Sequence, residues 1–267
     1  MAKKYALLDT DFISKTYCIN DGTNRLIDKV LNLHEYEFFC HRQIVTELNR
    51  YNIDISLWLK DKIQTQIIKS YSDKEIIEKL LLVYGSLSCM VYTQMLKAAC
   101  NAFSRSYFSK HYCELENIDY VNISNDDYLK KLELLDEKVK EKKNLGEIKS
   151  FVLLQTLSVI FDKKIYVFCS DDKDARSGAV YFDDIRCISL LSAFSFLKSE
   201  MGWTIVEARP FIESLIIFYQ KYNQITFKVM ESSKERRIIQ VPCRQVLEEI
   251  FDDKFIELKN GMLQYKE

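Results

Sequence analysis

IYVFCSDDKDAR, residues 165–176, is the most informative stretch of the chain. Ile165 to Cys169 is an unbroken apolar run of strand-forming residues, the pattern of a buried strand. It stops abruptly at Ser170-Asp171-Asp172. KYALLD (4–9) has the same form, a short apolar run that ends in acid at Asp9. EYEFFCH (35–41) and IRCISL (185–190) read as two more strands. Segments with helical periodicity lie between them. One starts at Asp11, with Asp11 or Ser14 as its cap, and another covers about 24–33. RQIVTELNRY (42–51) turns Ile44, Val45 and Leu48 to one face with Glu47 beside it. NLGEIKSFVLLQTLSVIF (144–161) is a buried helix with a Gly-Glu entry. Short apolar strands alternating with helices predict an α/β fold, a doubly wound, largely parallel sheet flanked by helices.

The stretch of about 52–143 reads as a helical insertion. In DDYLKKLELLDEKVKEKK (126–143) opposite charges recur three or four residues apart, which is the pattern of a solvated helix face. Beyond about residue 199 the character changes. MGWTIVEARPFIESLIIFYQKY (201–222) is helical with an interruption expected near Pro210. QITFKVMESSKERRIIQV (224–241) suggests two strands around a polar turn, and FIELKNGMLQY (255–265) carries an Asn-Gly hairpin signal. The expected organisation is a domain over 1–198 containing the insertion, and a small α+β appendage over 199–267.

A chain of 267 residues can bury a substantial core. Its net charge of −1 gives no bulk attraction for polyanions, so a nucleic-acid role would rest on local patches or bound metal ions. The eight cysteines contain no CxxC pair, the N-terminus lacks a signal peptide's apolar core, and no stretch reaches bilayer-spanning length. The expectation is a soluble, cytoplasmic protein with its cysteines as thiols. Cys89, Cys100, His111 and Cys113 do not have structural-zinc spacing. His34 and His41 lack a nucleophile elbow, and no phosphate-binding glycine loop occurs. Lys234, Arg236 and Arg237 form the sharpest basic cluster, either a phosphate-contacting hairpin tip or an ordinary solvated turn.

In parallel α/β sheets ligands lie beyond the carboxyl ends of the strands. Asp9, Asp171 and Asp172 stand at two such ends, Glu47 lies on a helix entered from a third strand, and Glu147 is at the start of another helix. Converging carboxylates repel unless protons or cations intervene. Their hard oxygens favour Mg2+ or Mn2+, and such ions activate water against phosphodiesters. Each acid also has an ordinary alternative. Asp9 and Asp11 would serve as helix caps, Glu47 as an exposed helix residue, and Asp172 as a partner for Arg176.

ALLDTDFISK (6–15), IVTELNR (44–50), LGEIKSFVLLQTL (145–157) and IYVFCSDDKDAR together resemble the PIN domain family, over about 1–50 and 144–195. The resemblance implies a central parallel sheet, an acidic Mg2+ or Mn2+ site and endoribonuclease activity on RNA, often in a toxin with an antitoxin or other protein partner. By the match Asp9 is similar to the family's first acid, Glu47 to its second and Asp172 to the acid ending the fourth strand. Asp171 and Asp11 stand beside them as further metal candidates, Asp11 where an assisting polar residue is common. Ser170 resembles the hydroxyl that braces the cluster, with Thr10 as a second support. One departure is visible: where relatives read Gly-Glu-x-Glu/Asp, this chain has Lys149. Either Glu147 takes over the metal, or the Lys149 ammonium stands where the cation would bind. The second case implies a catalytically weakened regulator that binds nucleic acid or protein.

Overall fold

In the computed structural model, residues 3–139, 144–181, 185–218, 224–230 and 236–266 are described. Strands β1 (Lys4–Leu8), β2 (Tyr36–His41), β3 (Ile68–Tyr71), β4 (Ile165–Cys169) and β5 (Arg186–Ile188) form one parallel sheet in the order β3-β2-β1-β4-β5. The chain winds outward from β1 through β2 to β3, then returns to the other side of β1 for β4 and β5. This reversal makes the gap between β1 and β4 the topological switch point, with Leu8 paired to Cys169 at its rim.

The pleat sorts the strand residues onto two faces. Ala6, Leu8, Phe38, Cys40, Val167 and Cys169 enter one apolar cluster, while Leu7, Phe39 and Phe168 enter the other. The first face is covered by α1 (Thr10–Cys18), α2 (Leu26–Leu31), α3 (Gln43–Tyr51) and α4 (Ile53–Gln64). The second is covered by α5 (Asp73–Tyr84), α6 (Ser88–Phe103), α7 (Tyr107–His111), α8 (Asn125–Val139), α9 (Leu145–Phe161) and α10 (Lys173–Tyr181). Three later helices, α11 (Ser192–Met201), α12 (Ile205–Phe218) and α13 (Cys243–Phe251), return to the first face. Covering both faces explains why the central strands β1, β2 and β4 are largely apolar and do not alternate.

Three features differ from the sequence reading. The stretch of about 52–143 contains a strand: in β3, Ile68-Lys69-Ser70-Tyr71, only Ile68 is buried, so the sequence carries no apolar run and the strand exists through its parallel pairing with β2. Pro210 does not interrupt its helix, because α12 runs through it. The run Asp73–Phe103 is long and apolar enough to pass as a membrane span. The chain, however, turns at Gly85, whose φ of 56° suits glycine. The two helices on either side pack on each other and on α9. With 12 and 16 residues they extend about 18 and 24 Å, each short of the roughly 30 Å hydrocarbon core.

In the C-terminal part, β6 (Gln224–Met230) pairs antiparallel with β7 (Arg236–Pro242), and β8 (Phe255–Glu257) with β9 (Leu263–Tyr265). Trp203, Phe211 and Leu215 around α12, with Val246, Leu247 and Ile250 of α13, share the apolar cluster on the sheet's first face.

Candidate acidic site at the switch point

β1 delivers Asp9 and β4 delivers Ser170, Asp171 and Asp172 to the same crevice. The Asp9 N–H donates to the Cys169 carbonyl across the switch point (3.0 Å). Ser170 Oγ stands 2.8 Å from Asp9 Oδ2 and 3.4 Å from Asp11 Oδ1, and it accepts the Asp172 N–H at 3.2 Å. Asp9 occupies the N-cap of α1, yet its carboxylate makes no capping hydrogen bond. It is fully buried, and Oδ1 has no hydrogen-bond partner. A buried carboxylate oxygen without a donor is costly unless something else neutralises it.

The remaining acids divide by what already holds them. Asp11 Oδ1 accepts the Asp171 N–H (2.9 Å), and Oδ2 pairs with Lys15 (3.4 Å). Asp171 Oδ1 accepts the Leu190 N–H (3.0 Å), and Oδ2 also pairs with Lys15. Both oxygens of Asp11 and of Asp171 already have partners, and through them these two side chains brace the crevice. Asp172 Oδ1 caps α10 by accepting the N–H groups of Asp174 (2.7 Å) and Ala175 (2.8 Å). The Asp172–Arg176 ion pair considered from sequence does not form. The Arg176 guanidinium donates instead to the carbonyls of Ser170 and Asn260, both at 2.9 Å.

Glu47 reaches the crevice from α3, where Thr10 Oγ1 donates to its Oε2 at 2.7 Å. Glu147 reaches it from the first turn of α9. These two helices meet closely at Gly146, where a Cβ would lie 2.9 Å from the Glu47 carboxyl carbon. Burial, reinforced by the charges of Glu47, Asp172 and Asp11, pushes the Glu147 carboxyl up to about 7. Burial, then the charges of Glu147 and Asp11, hold Asp9 well above the usual carboxylate range, against the Ser170 hydrogen bond. Burial also raises Asp11, with Lys15 opposing. These acids therefore share one field and retain protons where isolated carboxylates would be ionised. Among the described residues, no three His, Cys, Asp or Glu side chains are already closed around one point as a metal would require.

Lys149 lies outside this field of acids. Two residues after Glu147, it sits about 200° further round α9 at 100° per residue. Its fully buried ammonium donates to Asp73 Oδ2 (3.0 Å) and Tyr92 (3.3 Å) and pairs with Asp136 Oδ2 (2.8 Å). Tyr92 donates to Asp73, and Tyr112 to Asp136 at 2.7 Å. His41 Nε2 lies 3.3 Å from Asp73, while its Nδ1 accepts the Gln43 N–H. Against its own burial, Asp73 is held far below the usual carboxylate range by Lys149 and then His41. The ammonium is thus one member of a buried polar network between α9 and the helices of the middle region.

Two residues near the acids escape a reading of the sequence. Lys15 bridges Asp11 and Asp171; the available signal is its position four residues after Asp11. Tyr107, in α7, has a buried hydroxyl without a partner, raised by burial and by charges that include Glu147 and Glu47. Nothing local in its sequence marks it. Lys234 lies outside the described residues. Arg236 and Arg237 open β7, opposite Met230 and Val229, and their side chains also lie outside the described residues. Comparison of the chain with protein-family models, curated proteins and solved structures finds no match.

Proposed function

We propose that the chain is a PIN-like, metal-dependent endoribonuclease that hydrolyses RNA phosphodiesters, with Asp9, Glu47, Glu147 and Asp172 holding Mg2+ or Mn2+. The observation that carries this reading is the buried, unpartnered Oδ1 of Asp9 amid acids whose protons are held tightly, at the switch point of a parallel sheet. A hard divalent cation is the ligand such oxygens select. When bound, it would supply a Lewis acid for the phosphoryl oxygen and lower the pKa of water. Ser170 and Thr10 orient Asp9 and Glu47, while Lys15, Asp11 and Asp171 hold the two strand ends together. RNA as the substrate, a cytoplasmic setting and an antitoxin-type partner rest on the family resemblance. The second reading is a catalytically weakened regulator that binds nucleic acid or protein; the pairing of Lys149 with Asp73 and Asp136 supports the nuclease reading over it.

Purified protein incubated with mixed RNA and Mn2+ is expected to cleave, and EDTA to stop it. Glu147 must shed its proton to bind a cation, so manganese affinity and cleavage should rise with pH through about 7. The apo protein should respond in the opposite direction. Glu147 is raised from 4.5 to about 7 in the folded state, so its proton favours folding. That contribution is fully present below 4.5 and lost as pH rises through about 7, amounting to about 3 kcal/mol. Thermal melts should therefore show the apo protein weakening from pH 5 to 8, with Mn2+ restoring most at the alkaline end. Absence of both cleavage and calorimetric manganese uptake would overturn the proposal.

Gly146→Ala offers a separate check on Glu47. The added methyl displaces the Glu47 carboxylate, while alanine favours the helix by about 1 kcal/mol. The expected result is a melting temperature changed by only a few degrees and a manganese affinity lowered about tenfold. Unchanged affinity would remove Glu47 from the ligand set.

A further inference from the structure

An open groove of about 540 Å3 lies between α6 and α10, lined by Lys97, Asn101, Ala102, Arg105, Ser177 and Gly178. The helices approach closely here: a Cβ on Gly178 would stand 3.2 Å from the Ala102 carbonyl oxygen and 3.1 Å from the Phe151 ring. Although the whole chain carries a net charge of −1, this lining holds two cations and no carboxylate. Arg105 is exposed and makes no ion pair among the described residues. Lys97 is paired with Glu116 in an exposed contact, which is weak and exchangeable. Asn101 adds a neutral donor, while the Ser177 hydroxyl already donates to the Lys173 carbonyl at 2.8 Å.

Both walls are joined in the chain to elements that carry or neighbour the carboxylates. α10 begins directly after Asp172, and Ser177 lies four residues beyond its first residue, about 6 Å of helix rise. On the other wall, Arg105 precedes by two residues Tyr107, whose phenol feels the charges of Glu147 and Glu47. Cations on elements that adjoin an acidic site in the chain match the needs of a phosphate chain whose scissile bond must meet a metal. Phosphate contacts position a strand without reading its sequence, and an arginine fork is suited to phosphate oxygens.

We propose that this groove holds the phosphate backbone of a nucleic-acid strand leading to the carboxylate site, with Arg105 as its anchor and Lys97 and Asn101 as further donors. The assignment rests on the nuclease reading for the identity of the polyanion, and the two can fail separately. The experiment is fluorescence anisotropy of a labelled single-stranded oligoribonucleotide of about 12 nucleotides. It uses the full chain in EDTA, so that nothing is cleaved. Arg105→Glu is expected to weaken binding at least tenfold, Lys97→Gln about threefold, and each to lower the salt dependence by about one phosphate contact. Manganese uptake by Arg105→Glu, read by calorimetry, should match that of the wild type, showing that the fold and the acidic site are intact. Equal RNA affinity of wild type and Arg105→Glu, or no affinity of the wild type at low salt, would overturn the groove even if manganese-dependent cleavage is found. Binding that depends on Arg105, without manganese uptake or cleavage, would sustain the groove and remove the nuclease reading.

Discussion

Replacing Asp9 by asparagine is expected to lower manganese-dependent cleavage about a thousandfold, or ~4 kcal/mol of barrier, without loss of stability. The side chain is fully buried, its Oδ1 has no partner, and the surrounding charges hold its proton well above the usual range. Asparagine has nearly the same shape, and its carbonyl oxygen can still accept the Ser170 hydroxyl. It removes a buried negative charge that folding must otherwise accommodate as pH rises. The apo variant should therefore melt at or above the wild-type temperature at pH 8, while the stabilisation produced by Mn2+ disappears. Cleavage assays and paired melts with and without manganese measure both. Wild-type cleavage by Asp9→Asn would end the assignment of Asp9 as a ligand. A collapsed fold would instead mean that the carboxylate is needed for structure.

Lys149→Met should have the opposite profile, a large loss of stability with the acidic site spared. The substitution leaves the buried Asp136 and the partly buried Asp73 without their cation, and breaking a buried pair in this way costs about 3–5 kcal/mol. Urea unfolding should show this as a fall in midpoint. Adding Asp73→Asn and Asp136→Asn to the same chain should recover much of it, because no uncompensated charge then remains. Manganese uptake by the folded fraction should be unchanged, since the ammonium lies on the other side of α9 from Glu147. A rise in manganese affinity on losing Lys149 would show that the ammonium had repelled the metal after all.

The contrast between Glu147 and Lys149 shows how far the candidate site is readable from sequence. Strands ending in Asp9 and in Ser170-Asp171-Asp172 are visible as apolar runs that stop in acid, and the parallel-sheet rule alone directs those ends to one crevice. Residue type does not reveal which oxygens are already spent. Asp171 and Asp172 are neighbours of identical chemistry, yet one is held by Lys15 and Leu190 and the other caps α10. That division comes from residues 156 and 19 positions away from Asp171. Tyr107 reaches the neighbourhood of the acids only because α6 folds back against α9 and α10.

Contiguous residues suffice for the alternation of strands and helices, the acidic strand ends and the Asn-Gly turn between β8 and β9, because run length, periodicity and turn chemistry are local properties. The sheet order, the existence of β3 and the separation of Lys149 from Glu147 depended on the folded chain. β3 has almost no apolar signal of its own and is defined by its hydrogen bonds to β2. Lys149 is drawn to two carboxylates on α5 and α8 that lie 76 and 13 positions away in the chain. Pairing across a sheet and the neutralisation of a buried charge are long-range terms, and only the packed helices bring their partners together.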